Sequence, residues 1–229
     1  MIREIEVESL KCVCVEKRNS ARVIYMIYPA IVPFKHEWLV ETSERFGVPL
    51  VVIYIPANGW NNMLTPWQEP GETKDAEPFG GEAAKTLKVI QEKVIPEAEK
   101  ALGLNEVKDR DLVGVSLSGL FTLWQWLQFD TFTSIACLSG SFWYPGFMEW
   151  FNKLTIPQKE GKAYFLLGDK EPKAWIKAYR SVGVNTEAIV DRLKEKGIDV
   201  TFEWVPGDHF ADPSGRAIKA LEALCEDVS

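Results

Sequence analysis

The stretch DLVGVSLSGLF, residues 111–121, holds the side chain with the clearest potential for covalent chemistry. Ser116 ends a run of apolar residues and precedes a helical pattern, so it should stand where a buried strand becomes a helix. A side chain at such a turn projects clear of the sheet, and the unpaired N–H groups of the helix N-terminus face a developing oxyanion. We therefore predict that Ser116 is a nucleophile in acyl transfer.

The residues around Ser116 match the nucleophile turn G-x-S-x-G with one departure. Gly114 takes the first glycine position, whereas Ser118 replaces the second glycine and Gly119 follows it. Serine is small enough for a turn in which two backbones pass closely. A five-residue pattern with one mismatch is weak by itself, so the prediction depends on a base and an acid elsewhere in the chain.

A serine hydroxyl needs a base, and the chain has two histidines. His209 lies in EWVPGDHFAD, after the last strand pattern and before the last helix pattern, on the same sheet edge as Ser116. A lone loop histidine is usually a surface residue, but His209 completes the order serine, acid, histidine of α/β-hydrolases. His36 precedes the serine and would break that order. We predict His209 as the general base and His36 as a surface or helix-start residue.

Two carboxylates could orient the imidazole of His209 and stabilise its cation. Asp169 and Glu171 both follow the strand pattern KAYFLLG, in the segment LLGDKEPKAW. We favour Glu171, because its distance from Gly168 gives the turn room to aim a carboxylate at the next loop. Asp169 stays open as the alternative acid, and a solvated charged turn is the non-catalytic interpretation of the segment.

An oxyanion hole needs a pair of N–H donors. The first is expected from Leu117, directly after the nucleophile. The second should come from the loop after the strand pattern RVIYMIYP, where Pro29 has no N–H to offer. Ala30 or Ile31 is therefore the candidate donor, and the absence of an HG-type sequence in this loop leaves the choice open.

Several tryptophans fall in loops that are predicted to surround the site. Trp60, Trp67 and Trp143 are expected to line an apolar substrate pocket, with Trp175 nearby and Asn61 available for a polar substrate group. Packing of long loops onto the sheet explains the tryptophans equally well, and capping of a local turn explains the asparagine.

Other reactive side chains are given structural roles. Ser139 and Ser141, in LSGSFW, are expected to satisfy backbone groups near the site. Cys12 and Cys14 share one face of a predicted strand, and we interpret both as small buried core residues. The histidines are widely separated and form no HxH or HExxH pattern, so no metal site is predicted.

The elements that position these residues alternate along the chain. LKCVCVEK and RVIYMIYP are predicted strands, joined by a hairpin turn over residues 17–20. A long helix is predicted from residue 80 to 102, with a kink at Pro96. The other predicted strands are VPLVVIYIP, RDLVGV, SIACLS, KAYFLLG and DVTFEWVP. The other predicted helices cover 36–46, 117–129, 184–196 and 214–226, and a short helix is predicted among the aromatic loops of 142–154.

This order of elements predicts the α/β fold class. Right-handed crossovers turn alternating strands and helices into a mostly parallel central sheet with helices on both faces, here with antiparallel strands at the N-terminal start. Ligands gather at the carboxyl ends of such strands. The loops of interest therefore follow Pro29, Pro56, Val115, Leu138, Leu167 and Val205.

Composition narrows the class of protein. The 229 residues, 46% of them hydrophobic and 26% charged, fit one globular domain over 1–229. A net charge of −7 argues against general nucleic-acid binding, which needs a basic stripe. The apolar runs are too short to span a bilayer, and MIREIEVES lacks the pattern of a signal peptide. We expect a cytoplasmic protein without membrane contact.

Together these motifs resemble the esterase family of the α/β-hydrolase superfamily that includes esterase D and the enterochelin (siderophore) esterases. The resemblance rests on GVSLSGLF, CLSGSFWYPGF, FLLGDKEPK, WVPGDHFAD and the loop WNNMLTPW followed by PFGGEAAKTL. It covers most of the chain from residue 22 onward. It implies an α/β-hydrolase fold and a cytosolic serine hydrolase that cleaves carboxylic esters without cofactor or metal. It places the nucleophile and the base at Ser116 and His209.

Alternative functions stay open at this point. A serine carboxylesterase and an acyltransferase or thioesterase would use the same residues and differ only in the nucleophile that is admitted. A binding protein with a vestigial triad is the third alternative, although such a site would be expected to have lost one of its members. The expected partner is a small-molecule ester, and the aromatic loops could also form a contact in a homo-oligomer.

Overall fold

The computed structural model describes residues 1–17 and 20–226. Within these residues an eight-stranded sheet forms the centre of the fold, and a two-stranded sheet lies beside it. The strands are β1 (Ile2–Val7), β2 (Leu10–Val15), β3 (Arg22–Pro29), β4 (Leu50–Ile55), β5 (Gln68–Glu69), β6 (Phe79–Gly80), β7 (Asp109–Val115), β8 (Ser134–Leu138), β9 (Lys162–Gly168) and β10 (Asp199–Val205).

Helices connect most of these strands. The α-helices are α1 (His36–Phe46), α2 (Trp60–Met63), α3 (Ala83–Val89), α4 (Ile95–Leu102), α5 (Leu117–Trp126), α6 (Phe147–Lys153), α7 (Val182–Glu195) and α8 (Pro213–Cys225). Short 3₁₀ turns cover Ala57–Gly59, Glu171–Lys173 and Lys177–Ser181.

The strand order of the large sheet is β1-β2-β4-β3-β7-β8-β9-β10. Strand β2 pairs antiparallel with β1 and β4, and every other neighbouring pair is parallel. The predicted α/β class, with a mostly parallel sheet and antiparallel strands at its start, is confirmed.

The predicted hairpin between β2 and β3 is wrong. Residues 18–19 of its turn lie outside the described residues, but the strand order shows that β2 and β3 are not neighbours. The hairpin joins β1 and β2 instead, through a turn in which Glu8 has a φ of 57°. Strand β1 escaped prediction because charged residues interrupt its sequence, IREIEV, whose burial is only partial.

The two faces of the sheet carry separate apolar layers. In β3, Tyr25 and Ile27 belong to a layer covered by α3, α4, α5, α6 and α7, whereas Ile24 and Met26 belong to a layer covered by α1 and α8. Because the sheet is covered on both faces, all six residues of β4 are buried. This explains the continuous apolar run of that strand, and it confirms the prediction of helices on both faces.

The long helix predicted from residue 80 is divided by a π-helical turn over Ile90–Val94. The N–H of Ile95 donates to the carbonyl of Ile90, which is the i→i−5 bond of a π turn. Pro96 follows immediately and has no N–H to continue the ladder. The irregularity expected from Pro96 is therefore a change of helical pitch in the turn before it.

Cys12 and Cys14 lie in the core, as predicted. Cys12 and Cys14 are fully buried without a disulfide partner, and burial raises the pKa of both thiols to about 12. In the part of the chain that the structure describes, every helix is too short or too polar to cross a membrane.

Candidate active site

Ser116 stands on a strained turn between β7 and α5. Its φ of 57° and ψ of −123° are rarely adopted by a residue with a side chain, and such strain persists only where the surroundings enforce it. The surroundings here are the end of β8 and the loop after it. The N–H of Ser116 donates to Leu138 at 3.0 Å, and its carbonyl accepts from the N–H of Ser141 at 3.0 Å.

Glycine is required on both sides of this turn. A Cβ atom at Gly114 would lie 2.2 Å from the backbone oxygen of Ser118, and one at Gly119 would lie 2.9 Å from the Cα of Gly140. These separations are far below van der Waals contact, so the backbone of α5 can approach β7 and the β8 loop only because side chains are missing there. The small residues of the motif thus have a steric cause.

The structure brings Glu171, and not Asp169, against His209. The Nδ1 atom of His209 lies 2.8 Å from Oε2 of Glu171, which is almost fully buried. Asp169 is exposed, and its Oδ1 accepts from the N–H of Gly207 at 2.8 Å, so it stabilises the loop that carries the histidine. His36 is the first residue of α1. Its Nε2 pairs with Glu4 on the surface, away from Glu171 and His209.

The Glu171 carboxylate is held in its charged form. Burial by itself raises the pKa of a carboxyl group, but hydrogen bonds from His209, Ser139 and the N–H of Gly168 outweigh it. The pKa of Glu171 is therefore lowered below its usual range. An ionised carboxylate at Nδ1 fixes the tautomer of the imidazole, leaving Nε2 as the basic nitrogen.

Ser116 and His209 line one cavity of about 410 Å³. Within the described residues no hydrogen bond of 3.5 Å or less joins the two side chains, and the Oγ of Ser116 lies 3.4 Å from that of Ser141. Hydrogen bonds between a nucleophile and its base are often long without substrate and shorten in the complex.

The cavity lies at the carboxyl ends of five parallel strands. Its lining comes from the segments after β4, β7, β8, β9 and β10: Trp60, Asn61, Glu72, Ser116, Leu117, Ser139, Ser141, Trp143, Lys170, Glu171, Ala174, Tyr179, Val182, Asp208, His209 and Phe210. Trp60, Asn61 and Trp143 are among them, as expected from the sequence.

The expectation for Trp67 is corrected by the structure. Trp67 is absent from the cavity lining, its Nε1 donates to the carbonyl of Pro145 at 3.0 Å, and its ring packs against Tyr144 and Trp150. It therefore anchors the long loop after β4 to the segment before α6. Trp175 also lies outside the cavity, with 91% of its surface exposed.

The backbone hydrogen bonds bear on the choice of oxyanion donors. Leu117 lines the cavity as the first residue of α5, and its N–H has no partner one turn earlier within that helix. The N–H of Ala30 donates to Ile55 at 2.9 Å, extending the pairing of β3 with β4, so it is occupied and the expectation for Ala30 is corrected. Ile31 remains the candidate of that loop, although neither residue lines the cavity.

Two serines near the site contact other side chains of the site. The sequence predicts backbone partners for Ser139 and Ser141, but the buried hydroxyl of Ser139 donates to Oε1 of Glu171 at 2.6 Å. Ser141 contacts Ser116 through its hydroxyl. Side-chain partners from distant loops cannot be read from a local serine pattern, which explains the error.

Sequence reasoning missed Tyr179 and Glu72, a hydrogen-bonded pair in the cavity lining. The hydroxyl of Tyr179 donates to Glu72 at 2.9 Å, and its ring lies 4.4 Å from that of Trp143. Burial and the Glu72 carboxylate both raise the pKa of Tyr179, so this hydroxyl stays protonated. Glu72 belongs to a loop without periodicity, and nothing in its local sequence marks it.

Among the described residues no group of three or more His, Cys, Asp or Glu side chains could hold a metal ion.

The profile of the family described as "Putative esterase" matches residues 32–209. A Bacillus subtilis (strain 168) protein named "Uncharacterized protein YbbA" is 27% identical over 164 residues. That alignment covers 70% of this chain and 66% of the relative, just under two thirds of the relative's length.

Solved structures share the fold. An IroE-like serine hydrolase from Shewanella oneidensis superposes with a TM-score of 0.80 at 18% identity, covering 100% of this chain and 81% of that one. The siderophore hydrolase EstB from Aspergillus nidulans superposes with a TM-score of 0.75 at 19% identity, covering 100% and 96%. At such low identity these likenesses concern the fold alone.

Proposed function

The chain belongs to the Putative esterase family, and from this premise we propose that it cleaves carboxylic esters through an acyl-enzyme formed on Ser116. The observation that carries the proposal is the 2.8 Å contact between His209 and the buried Glu171, in the same cavity as Ser116. A nucleophile on a strained turn, a base and an ionised acid are the parts that acyl transfer requires.

The proposed reaction has two halves. The Oγ of Ser116 attacks the ester carbonyl while Nε2 of His209 takes its proton, and Glu171 stabilises the imidazolium that forms. The negative charge on the tetrahedral intermediate is received by the N–H of Leu117 and a second donor from the loop at Ile31. The alcohol leaves with the proton from His209. Water then attacks the acyl group with His209 as base, which releases the acid and restores Ser116.

The substrate we propose is a small-molecule ester with an apolar group. Trp60 and Trp143 supply flat apolar surfaces, and Phe210 packs edge-on against His209 with ring centroids 5.2 Å apart. A cavity of about 410 Å³ falls within the range of small-ligand sites.

We also propose a reducing, cytoplasmic location, which is supported by the unpaired cysteines of the core.

A fluorophosphonate probe tests the nucleophile directly. We expect covalent labelling of the wild-type protein that is lost in Ser116→Ala, together with hydrolysis of p-nitrophenyl acetate. Ser141→Ala is the matched control, because it removes a hydroxyl 3.4 Å from that of Ser116 and should still be labelled.

The outcomes separate the alternative functions. Labelling that survives in Ser116→Ala would show that another residue is the nucleophile. A wild-type protein that is neither labelled nor active on esters would favour a binding protein. Labelling with little hydrolysis, and turnover restored by an added alcohol or thiol, would indicate acyl transfer.

A further inference from the structure

A buried arginine lies behind the acid–base pair. Arg216, in the first turn of α8, is 5% exposed. Its Nη1 atom donates to Oγ of Ser139 at 2.7 Å and to Oε1 of Glu171 at 3.2 Å, and its Nη2 atom donates to the carbonyl of Asp208 at 2.6 Å. Because Asp208 directly precedes His209, one guanidinium contacts both the acid and the loop of the base.

These contacts join three separate strand ends. Ser139 follows β8, Glu171 follows β9 and Asp208 follows β10. The planar guanidinium offers several donors in a fixed geometry, so it holds three acceptors in one relative arrangement. A lysine in this position would have a single nitrogen for the same acceptors.

The neighbouring backbone leaves room for the guanidinium. A Cβ atom at Gly168 would lie 2.7 Å from Nη2 of Arg216 and 2.4 Å from the carbonyl oxygen of Gly207. Any side chain at Gly168 would therefore displace the arginine or the histidine loop. The end of β9 thus accommodates the arginine only because residue 168 is glycine.

Ser139 transmits the contact between Arg216 and Glu171. Its hydroxyl accepts a hydrogen bond from Arg216 and donates one to Glu171. In both hydrogen bonds a donor therefore faces an acceptor. The φ of Ser139 is 49°, a left-handed conformation that costs free energy for a residue with a side chain. The strained backbone aims a buried hydroxyl at the acid.

Stability alone is a poor reason for this arrangement. A buried ion pair seldom stabilises a fold more than apolar residues of the same volume, because both charges lose their hydration. Here the Nε of Arg216 is buried without a hydrogen-bond partner among the described residues, which adds to that cost. The arrangement is better explained by its effect on Glu171 and on the loop that carries His209.

We propose that Arg216 is a positioning residue that fixes Glu171 and the His209 loop relative to each other and keeps the imidazole neutral. This inference rests on the proposed function. The guanidinium neutralises the carboxylate on its Oε1 side, so less of the negative charge is available to favour protonation of His209 on the Oε2 side. A neutral imidazole is the form that can accept the proton of Ser116.

Other charged groups also face the histidine loop. Lys170 lines the same cavity, Asp208 accepts from the N–H of Phe210 through its side chain, and Asp212 caps α8 through the N–H of Gly215. Asp169 is bonded to the same loop at Gly207. Each of these carboxylates has a backbone partner and is unchanged in the variants below, so a difference between variants reports on residue 216.

The imidazole of His209 can be followed directly, because the chain has one other histidine, His36. Titration of the ring nitrogens by NMR, assigned with His36→Gln, measures the pKa of His209 without any substrate. In Arg216→Met we expect this pKa to rise by about one pH unit, since a fixed positive charge is lost beside its partner carboxylate. The apparent pKa of the acid limb in the pH profile of kcat/KM for p-nitrophenyl acetate should rise as well.

Arg216→Lys separates charge from geometry. We expect a His209 pKa near that of the wild type, because the charge is retained, but a kcat about tenfold lower at unchanged KM, because one nitrogen cannot hold both loops. Arg192→Met is the matched control, since it removes a half-buried arginine that donates to Phe151 and Leu154 outside the site. It should leave both the titration and kcat unchanged.

The outcomes are distinct from those of the proposed function. A folded Arg216→Met whose His209 titrates as in the wild type would overturn the proposal. If that variant does not fold, Arg216→Lys decides, and a wild-type kcat in it would overturn the proposal. A wild-type protein without fluorophosphonate labelling would refute the esterase mechanism, whereas the His209 titration would still decide the role of Arg216.

Discussion

The hydroxyl of Ser118 lies 2.7 Å from the carbonyl oxygen of Ile27 in the neighbouring strand β3. Its oxygen also accepts from the N–H of Val115 at 2.7 Å. The pairing of β3 with β7 ends at Ile27 and Gly114, so the hydroxyl continues the hydrogen bonding at the point where the chain turns away. The residue that departs from the G-x-S-x-G motif thus replaces a backbone partner as well as fitting the space.

This contact predicts that Ser118→Ala destabilises the protein by about 1–3 kcal/mol, because the carbonyl of Ile27 and the partly buried N–H of Val115 both lose a partner. Urea unfolding measures the free energy. Ser181→Ala is the matched control, since that hydroxyl is exposed, and it should change stability by less than about 0.5 kcal/mol. Equal stability of the Ser118 variant and the wild type would contradict the assigned role.

The acid is tested by two isosteric changes in one turn. Glu171→Gln should lower kcat by a factor on the order of a thousand, because the amide can no longer stabilise the imidazolium of His209. Asp169→Asn removes an exposed carboxylate that bonds only to a loop N–H, and should leave kcat within a few-fold of the wild type. Rates on p-nitrophenyl acetate decide, and the reverse ranking would assign the acid to Asp169.

A buried carboxyl group predicts a pH dependence of stability. Asp111 is fully buried, and its burial raises its pKa from 3.8 to about 6. The Nε of Arg22 is 3.4 Å from its Oδ2, near enough to attract it but not aligned for a hydrogen bond. The folded state therefore binds the Asp111 proton more tightly than the unfolded chain does.

The sign of the effect follows from that difference. As the pH rises from about 4 through 6, Asp111 must ionise while buried, and the free energy of unfolding falls relative to Asp111→Asn, by on the order of 3 kcal/mol. Urea unfolding of both proteins at pH 5 and pH 7.5 measures roughly half of this change, about 1.4 kcal/mol, because the unfolded chain is already ionised at pH 5. Titrating groups that the two proteins share cancel in the comparison. A difference that is constant with pH would show that Asp111 keeps an ordinary pKa.

Two half-buried tryptophans on one loop should respond differently to substitution. Trp60→Ala removes a ring from the cavity and should raise KM for bulky apolar esters more than for acetates. Trp67→Ala removes packing on Tyr144 and Trp150 and should lower stability by about 2 kcal/mol or more. Steady-state kinetics and thermal unfolding of both variants make the test. Equal effects on KM would show that Trp67 also shapes the pocket.

Local patterns in the sequence were enough for most of the fold. Long helices and doubly buried strands leave an unambiguous periodicity, so α7, α8, β4 and β9 lie close to their predicted positions. Strand pairing is not local, and the hairpin error arose because β3 pairs with β4 and β7 rather than with the strand that precedes it. The charged strand β1 has too weak a pattern to be predicted from its own residues.

What the sequence determined by itself was the chemistry available at a known edge of the sheet. Ser116, His209 and a choice between two acids follow from motif spacing and chain order, because the carboxyl ends of parallel strands must meet. The tertiary structure decided which acid reaches the histidine, since a difference of two positions in one turn sends Asp169 to solvent and buries Glu171. It also revealed Arg216, whose helical pattern is ordinary and whose partners at 139 and 171 lie far away in the chain. Contacts of that kind depend on the packing of α8 against three strand ends, which no local pattern records.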